Sequence, residues 1–277
     1  MKNIVVPIDF SEHAENALYM AANIAKREQA DIHLIHTLGI GDHLLATADA
    51  TRMADAAPFV KFAEMRFLKF IDKPYLEDIK VSYVIKKSDV TNEIADFANE
   101  VNADLIVMGS HGASGIEEYF IGSNTQKVVR YSDVPVMVVK KRMIGFTIEK
   151  AVFVSDFRKE NIASYKKAIQ LFNLLDVQLH LTYINTPDNF KSSPEINEII
   201  ASFFDAIEPE YQRPVSDVRI FNNYTVERGI LEYSKAVNAS LIGIPTHGRK
   251  GFSHIFQGSI GENLVNHSEF PVITFKI

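Results

Sequence analysis

Cysteine is absent from this chain of 277 residues, which excludes disulfides, thiolate nucleophiles and cysteine-ligated metals and suits a reducing compartment. No run approaches the roughly 20 apolar residues that a membrane-spanning helix needs. The opening MKNIVVPIDF reaches Asp9 too early to supply the apolar centre of a signal peptide. A cytoplasmic protein without a membrane partner is therefore expected. Basic residues are not in excess either: the formal net charge is -6 and the pI about 5.9. That balance gives no general attraction for nucleic acid, so any phosphate site must be local and geometric. Neither G-x-x-x-x-G-K-[ST] nor G-x-G-x-x-G occurs, which argues against a Walker-type triphosphatase or a dinucleotide fold. Ser110, His111 and Asp9 are the residue types of a hydrolase triad. No G-x-S-x-G surrounds the serine, however, and adjacent Ser and His side chains rarely make the required bond.

What is present is an ordinary globular composition, 47% hydrophobic and 23% charged, and a long internal repeat. VVPIDF at 5–10 returns as VFVSDF at 152–157, so Asp9 falls on Asp156. VNADLIVMGSHG at 101–112 returns as VNASLIGIPTHG at 237–248. Gly122-Ser123 then lands on Gly258-Ser259, and VPVMVV at 134–139 on FPVITF at 270–275. A unit of half the chain is too long for a solenoid and implies two homologous domains, 1–143 and 149–277, joined near 141–149.

Within each unit short apolar runs alternate with helical stripes. Ile4 to Ile8 has the solid pattern of a parallel strand covered on both faces. Ser11 is placed to cap a helix whose Ala14, Ala17, Leu18, Ala21 and Ala25 recur at helical spacing. Strands at Ile32 to Leu38, Val81 to Ile85, Leu105 to Met108 and Val136 to Val139 follow, with helices at Thr91 to Val101 and from Ser123. The expected fold is α/β: two tandem doubly wound domains, each with a five-stranded parallel sheet of order 3-2-1-4-5 flanked by helices. The insertion around Leu44 to Lys73, with Pro58, Phe59, Phe62, Met65 and Phe67, reads as an amphipathic helix packed on the sheet, or as a cover for the crevice or a partner contact.

Ligands of such sheets gather outside the carboxyl ends of the strands, where strand order reverses. There Asp9 would face the loop Gly109-Ser110-His111-Gly112, which continues after nine residues into Gly122-Ser123-Asn124-Thr125 at a helix start. Glycines admit close backbone approach to a polyphosphate, and a helix N-terminus adds partial positive charge. Asp9 would accept hydrogen bonds from a ribose or an adenine amino group. The same residues also read as a turn and a cap. His33 and His36, three apart on a strand, point to opposite faces and cannot share a metal.

Gly109-x-x-Gly112-x9-Gly122-Ser123 with Asp9 after the first strand resembles the universal stress protein domain of the ATP-binding kind, across nearly all of each half. The resemblance implies an adenosine against Pro7, Ile8, Asp9, Thr37 and Met108. It implies phosphates of ATP, ADP or AMP held by Gly109, Gly112, Gly122, Ser123, Asn124 and Thr125, with Mg²⁺ accompanying them and His111 as a loop contact. It also implies pairing of the last strands, Val134 to Val139 with Phe270 to Phe275, as an intramolecular pseudo-dimer. A homodimer and an unknown protein partner remain open. In the second half Asp156, Gly248, Gly258 and Ser259 survive as a possible second site. Pro245 there replaces Gly109, Ile260 and Gly261 replace Asn124 and Thr125, and Arg249 and Lys250 add charge. Weaker or altered binding is expected there. The function implied is a stress-response protein binding adenine nucleotide, with at most slow hydrolysis and no catalytic residue. A slow phosphohydrolase or phosphotransferase, and a structural protein without nucleotide, are the alternatives.

Overall fold

Each half places its first strand in the middle of a parallel sheet, because that strand is apolar on both faces and must be covered on both. The computed structural model describes residues 1–37, 57–86, 90–110, 122–246, 264–265 and 268–277. The chain divides into two compact units, one on the first half of the sequence and one on Ile144–Ile277 together with Pro135–Val138.

In the first half β1 (Asn3–Pro7) leads through α1 (Glu12–Glu28) to β2 (Asp31–Thr37), then α2 (Ala57–Ile71), β3 (Val81–Lys86), α3 (Val90–Glu100), β4 (Leu105–Gly109), α4 (Ser123–Tyr131) and β5 (Val136–Val139). The strand order is β3-β2-β1-β4-β5, as the sequence predicts. β1 runs parallel to β2 in the register Ile4↔Ile32 and to β4 in the register Ile4↔Leu105. Local chemistry sets the helix limits. Ser11 accepts from the Ala14 N–H at the start of α1, Glu12 and Glu15 occupy its positive end, and Lys26 and Arg27 its negative end. Gln29 in left-handed conformation (φ 54°) closes it. The alanines of α1 are buried, and small side chains let this helix lie close on the sheet. At Gly109 a Cβ would fall 2.7 Å from the His13 carbonyl oxygen, so glycine there is required by the close approach of α1. α2 buries Ala63 and Phe67 and leaves Phe62, Met65 and Leu68 exposed; residues 44–56 of the expected insertion lie outside the described residues.

The second half repeats the plan. It runs β6 (Lys150–Val154), α5 (Ile162–Leu174), β7 (Gln178–Asn185), α6 (Ser193–Asp205), β8 (Val218–Asn222), α7 (Val226–Ala236), β9 (Leu241–Thr246) and β10 (Val272–Lys276), with order β8-β7-β6-β9-β10. All pairings among these strands are parallel. Within this unit Val136 to Val138 run antiparallel to β10, in the register Val272↔Val138, so the expected pairing of the last strands is present and that edge is covered. No helix among the described residues is long and apolar enough to cross a membrane.

Aromatic rings fill the core of the second unit. Phe203 is fully buried and meets Phe157 edge-on at 5.4 Å and Tyr165 at 5.3 Å; Phe275 meets Phe153 at 5.8 Å and Phe172 at 5.6 Å. Such pairs add specific geometry to area burial. Phe203→Ala is expected to destabilise the second unit by about 3–5 kcal/mol, because the cavity cannot collapse between fixed rings; urea unfolding of the variant against the parent chain measures it.

Candidate functional site

Both halves turn from first strand to first helix through the same bend. In the first half the Ser11 N–H donates to Asp9 Oδ1 at 3.0 Å, the Ser11 hydroxyl donates to the same oxygen at 2.6 Å, and Phe10 between them is left-handed at φ 63°. The carboxylate thereby replaces a backbone acceptor in an Asx turn. Phe10 is held in that uncommon conformation by its ring, which packs on His36 at 4.8 Å, Phe67 at 5.0 Å and Phe70 at 5.6 Å. The Arg66 guanidinium lies over it at 4.3 Å. His36 is buried and donates from Nδ1 to the Ile8 carbonyl at 2.7 Å, pinning the backbone just before Asp9.

The residues expected to hold an adenosine lie at neighbouring strand ends. Pro7 closes β1, Thr37 closes β2, and Met108 and Gly109 close β4. Ile8 and Met108 are buried, while Pro7, Asp9 and Thr37 are half-buried. Gly122 has an ordinary φ of -56°, and its N–H donates to the Ser110 carbonyl at 2.8 Å. Thr125 is buried, and its hydroxyl donates to the Gly109 carbonyl at 3.0 Å. Both residues tie the start of α4 to the end of β4. Ser123 and Asn124 are exposed, and α4 has no side-chain cap, so the amides of its first turn lack an intrahelical acceptor. His111 and Gly112 lie outside the described residues.

In the second half Phe157 repeats the left-handed conformation at φ 53°, and the Arg158 N–H donates to Asp156 Oδ1 at 3.2 Å. There the resemblance stops. Asp156 is buried, Asn161 donates from Nδ2 to its Oδ1, and Arg158 Nε lies 3.3 Å from its Oδ2. Burial pushes the Asp156 carboxyl upward, against the hydrogen bond and charge of Arg158. Burial, and then the Asp156 carboxylate, push the neighbouring Tyr183 up as well. Pro245 lies inside β9, in register with Phe275. Gly248, Gly258 and Ser259, with Arg249 and Lys250, lie outside the described residues.

Sequence reasoning did not single out Phe10 or Asn161, it weighed His36 only as a metal ligand that could not share an ion with His33, and it gave Ser11 only the role of a helix cap. A signal existed for one of these: Asp-x-Ser after a strand is an Asx-turn pattern. Phe10, His36 and Asn161 owe their places to packing across elements.

The family model described as the universal stress protein family matches residues 1–140 and again 148–276. Universal stress protein MJ0531 of Methanocaldococcus jannaschii is 32% identical over 141 residues, spanning 50% of this chain and 82% of that protein. Universal stress protein MJ0577 of the same organism is 31% identical over 155 residues, 51% of this chain and 96% of that one. A universal stress protein of Archaeoglobus fulgidus DSM 4304 has a similar fold, with a TM-score of 0.73 over 99% of this chain and 98% of that one at 20% identity.

The buried Asp156 carboxyl makes a signed prediction. Its pKa is raised in the folded protein, so the folded state binds the proton first. Its contribution to stability therefore grows as pH falls from the raised value towards the ordinary aspartate range, and is constant below that. Thermal melts across that window should show this component in the parent chain and lack it in Asp156→Asn.

Proposed function

Because the chain belongs to the universal stress protein family, we propose that its first half binds an adenine nucleotide, ATP or its di- or monophosphate, outside the carboxyl ends of β1 and β4. The observation that carries this reading is a pairing of opposites at the ends of two adjacent strands. Beyond β1 stands the half-buried Asp9 carboxylate. Beyond β4 stands the uncapped first turn of α4, fastened there by Gly122 and Thr125. A nucleoside needs an acceptor for its hydroxyl and amino groups, and a phosphate needs amide donors with a helix dipole behind them.

The roles follow. Pro7, Ile8, Thr37 and Met108 line the adenosine, and Asp9 accepts from it. Gly109 is assigned to the phosphates together with His111 and Gly112, which lie outside the described residues, and Ser123 and Asn124 offer the first-turn amides and side chains. Gly122 and Thr125 serve the phosphates indirectly, by fixing where α4 begins. Among the described residues no group of three or more His, Asp or Glu side chains gathers as a metal cage, so Mg²⁺ would arrive bound to the phosphates and neutralise them there. A chain of net charge -6 then needs no basic cluster at the site. The binding half lies in a protein without a membrane-crossing helix among its described residues, in keeping with a cytoplasmic stress-response role.

Scanning fluorimetry with ATP, ADP and AMP, with and without Mg²⁺, tests the reading. Saturation at about 100 times Kd is expected to stabilise the chain by roughly 2.7 kcal/mol and raise its melting temperature. Absence of a shift with all three nucleotides would retire the proposal. Asp9→Ala is expected to weaken binding about 10- to 100-fold, the loss of hydrogen bonds to a charged acceptor worth about 1.5–3 kcal/mol.

A further inference from the structure

The two halves share one bend but use its carboxylate in different ways. At corresponding positions Arg158 stands for Ser11 and Asn161 for Ala14. Ser11 is short: it closes the Asx turn with its main chain and hydroxyl and leaves Asp9 half-buried just beyond the end of β1. Asn161 sits on the 3-10 turn Lys159–Asn161 that leads into α5, and it is 0% exposed. From there its amide nitrogen donates inward to Asp156 Oδ1. Arg158 covers the other side, with Nε 3.3 Å from Oδ2 and its main-chain N–H on Oδ1. Asp156 is left 5% exposed.

Two further details show that this cluster is closed upon itself. Asp156 Oδ2 and Asn161 Oδ1 are both buried without a hydrogen bond, so neither oxygen is turned to solvent. Phe157 seals the same bend by packing on Phe203 at 5.4 Å and Phe204 at 6.1 Å. A ribose hydroxyl or adenine amino group would have to displace Asn161 from Oδ1, leaving a buried amide without its acceptor, or Arg158 from its place beside Oδ2.

We propose that Arg158 and Asn161 withhold Asp156 from any ligand, so that the chain takes up a single nucleotide, in its first half. The proposal rests on the first-half reading given above. It makes Asp156 a structural residue despite its alignment with Asp9, and it makes Arg158 and Asn161 the residues that decide which half binds. Pro245 acts in the same direction, since it lacks the N–H that Gly109 carries at the end of the fourth strand.

Two measurements on the full chain decide it. Calorimetric titration with ATP and Mg²⁺ should give one equivalent per chain. Asp9→Asn should weaken uptake at least about tenfold, whereas Asp156→Asn should leave affinity and stoichiometry unchanged within about twofold. Two equivalents in the parent chain, or a site lost on Asp156→Asn, would overturn the proposal. No uptake by the parent chain would overturn the first-half reading and the proposal with it, an outcome distinct from two sites. The second measurement uses no nucleotide: a water-soluble carbodiimide with an amine, read by peptide mass, labels accessible carboxylates. Asp156 should be protected in the parent chain and become at least about fivefold more reactive in the R158S/N161A variant, with circular dichroism confirming its fold. Ready labelling of Asp156 in the parent chain, or no increase in a folded variant, would sink the withholding role; should the variant not fold, the stoichiometry and the parent labelling still decide.

Discussion

A carboxylate accepting a hydrogen bond from the main-chain N–H two residues further on bends the chain where each first strand ends, at Asp9 and again at Asp156. The bond holds the intervening phenylalanine left-handed, at φ 63° and 53°. That conformation is uncommon for a bulky residue and persists only where the surroundings over-determine it. Rings supply the determination: His36, Phe67 and Phe70 around Phe10, and Phe203 and Phe204 around Phe157. Once the bend is set, the first helix starts within a few residues and crosses back over the sheet. The close contact of α1 with Gly109 follows from that return.

Because the bend is common to both halves, the two aspartates differ through what surrounds each carboxylate. Beside a serine Asp9 stays half-buried, while beside an arginine and an asparagine Asp156 lies in the interior. Burying an acid is unfavourable unless it is hydrogen-bonded, and the Asn161 and Arg158 contacts meet part of that cost. Burial still outweighs those contacts and pushes the Asp156 carboxyl upward. The second half thus repeats the fold of the first and places the corresponding carboxylate in its own core.

Much of the fold was legible because the patterns that specify it are local. Ile4 to Ile8 reads as a buried strand, and Ser11 as a cap that accepts from Ala14. The repeat from Asp9 to Asp156 announces two domains of one kind, which the matches at 1–140 and 148–276 bear out. The site was less legible. Glycine at 109 serves a close helix approach, Gly122 has an ordinary φ, and the Thr125 hydroxyl is spent on a main-chain carbonyl. Residue type alone does not distinguish a glycine that cradles a ligand from one that admits a helix, because both need the absence of a Cβ.

The sequence by itself determined which segments are strands and helices, that the plan occurs twice, and that the first half carries the fuller set of polar residues at its strand ends. Those properties reside in hydrophobic period, capping chemistry and internal alignment, all of which act over a few neighbouring residues. Only the tertiary structure decided the exposure of the two aligned aspartates. Asn161 and Arg158 lie close to Asp156 in sequence, yet whether they shield it depends on how the 3-10 turn and the rings of α6 pack around the bend. Burial is a property of the assembled core, and the two carboxylates differ because their surroundings differ.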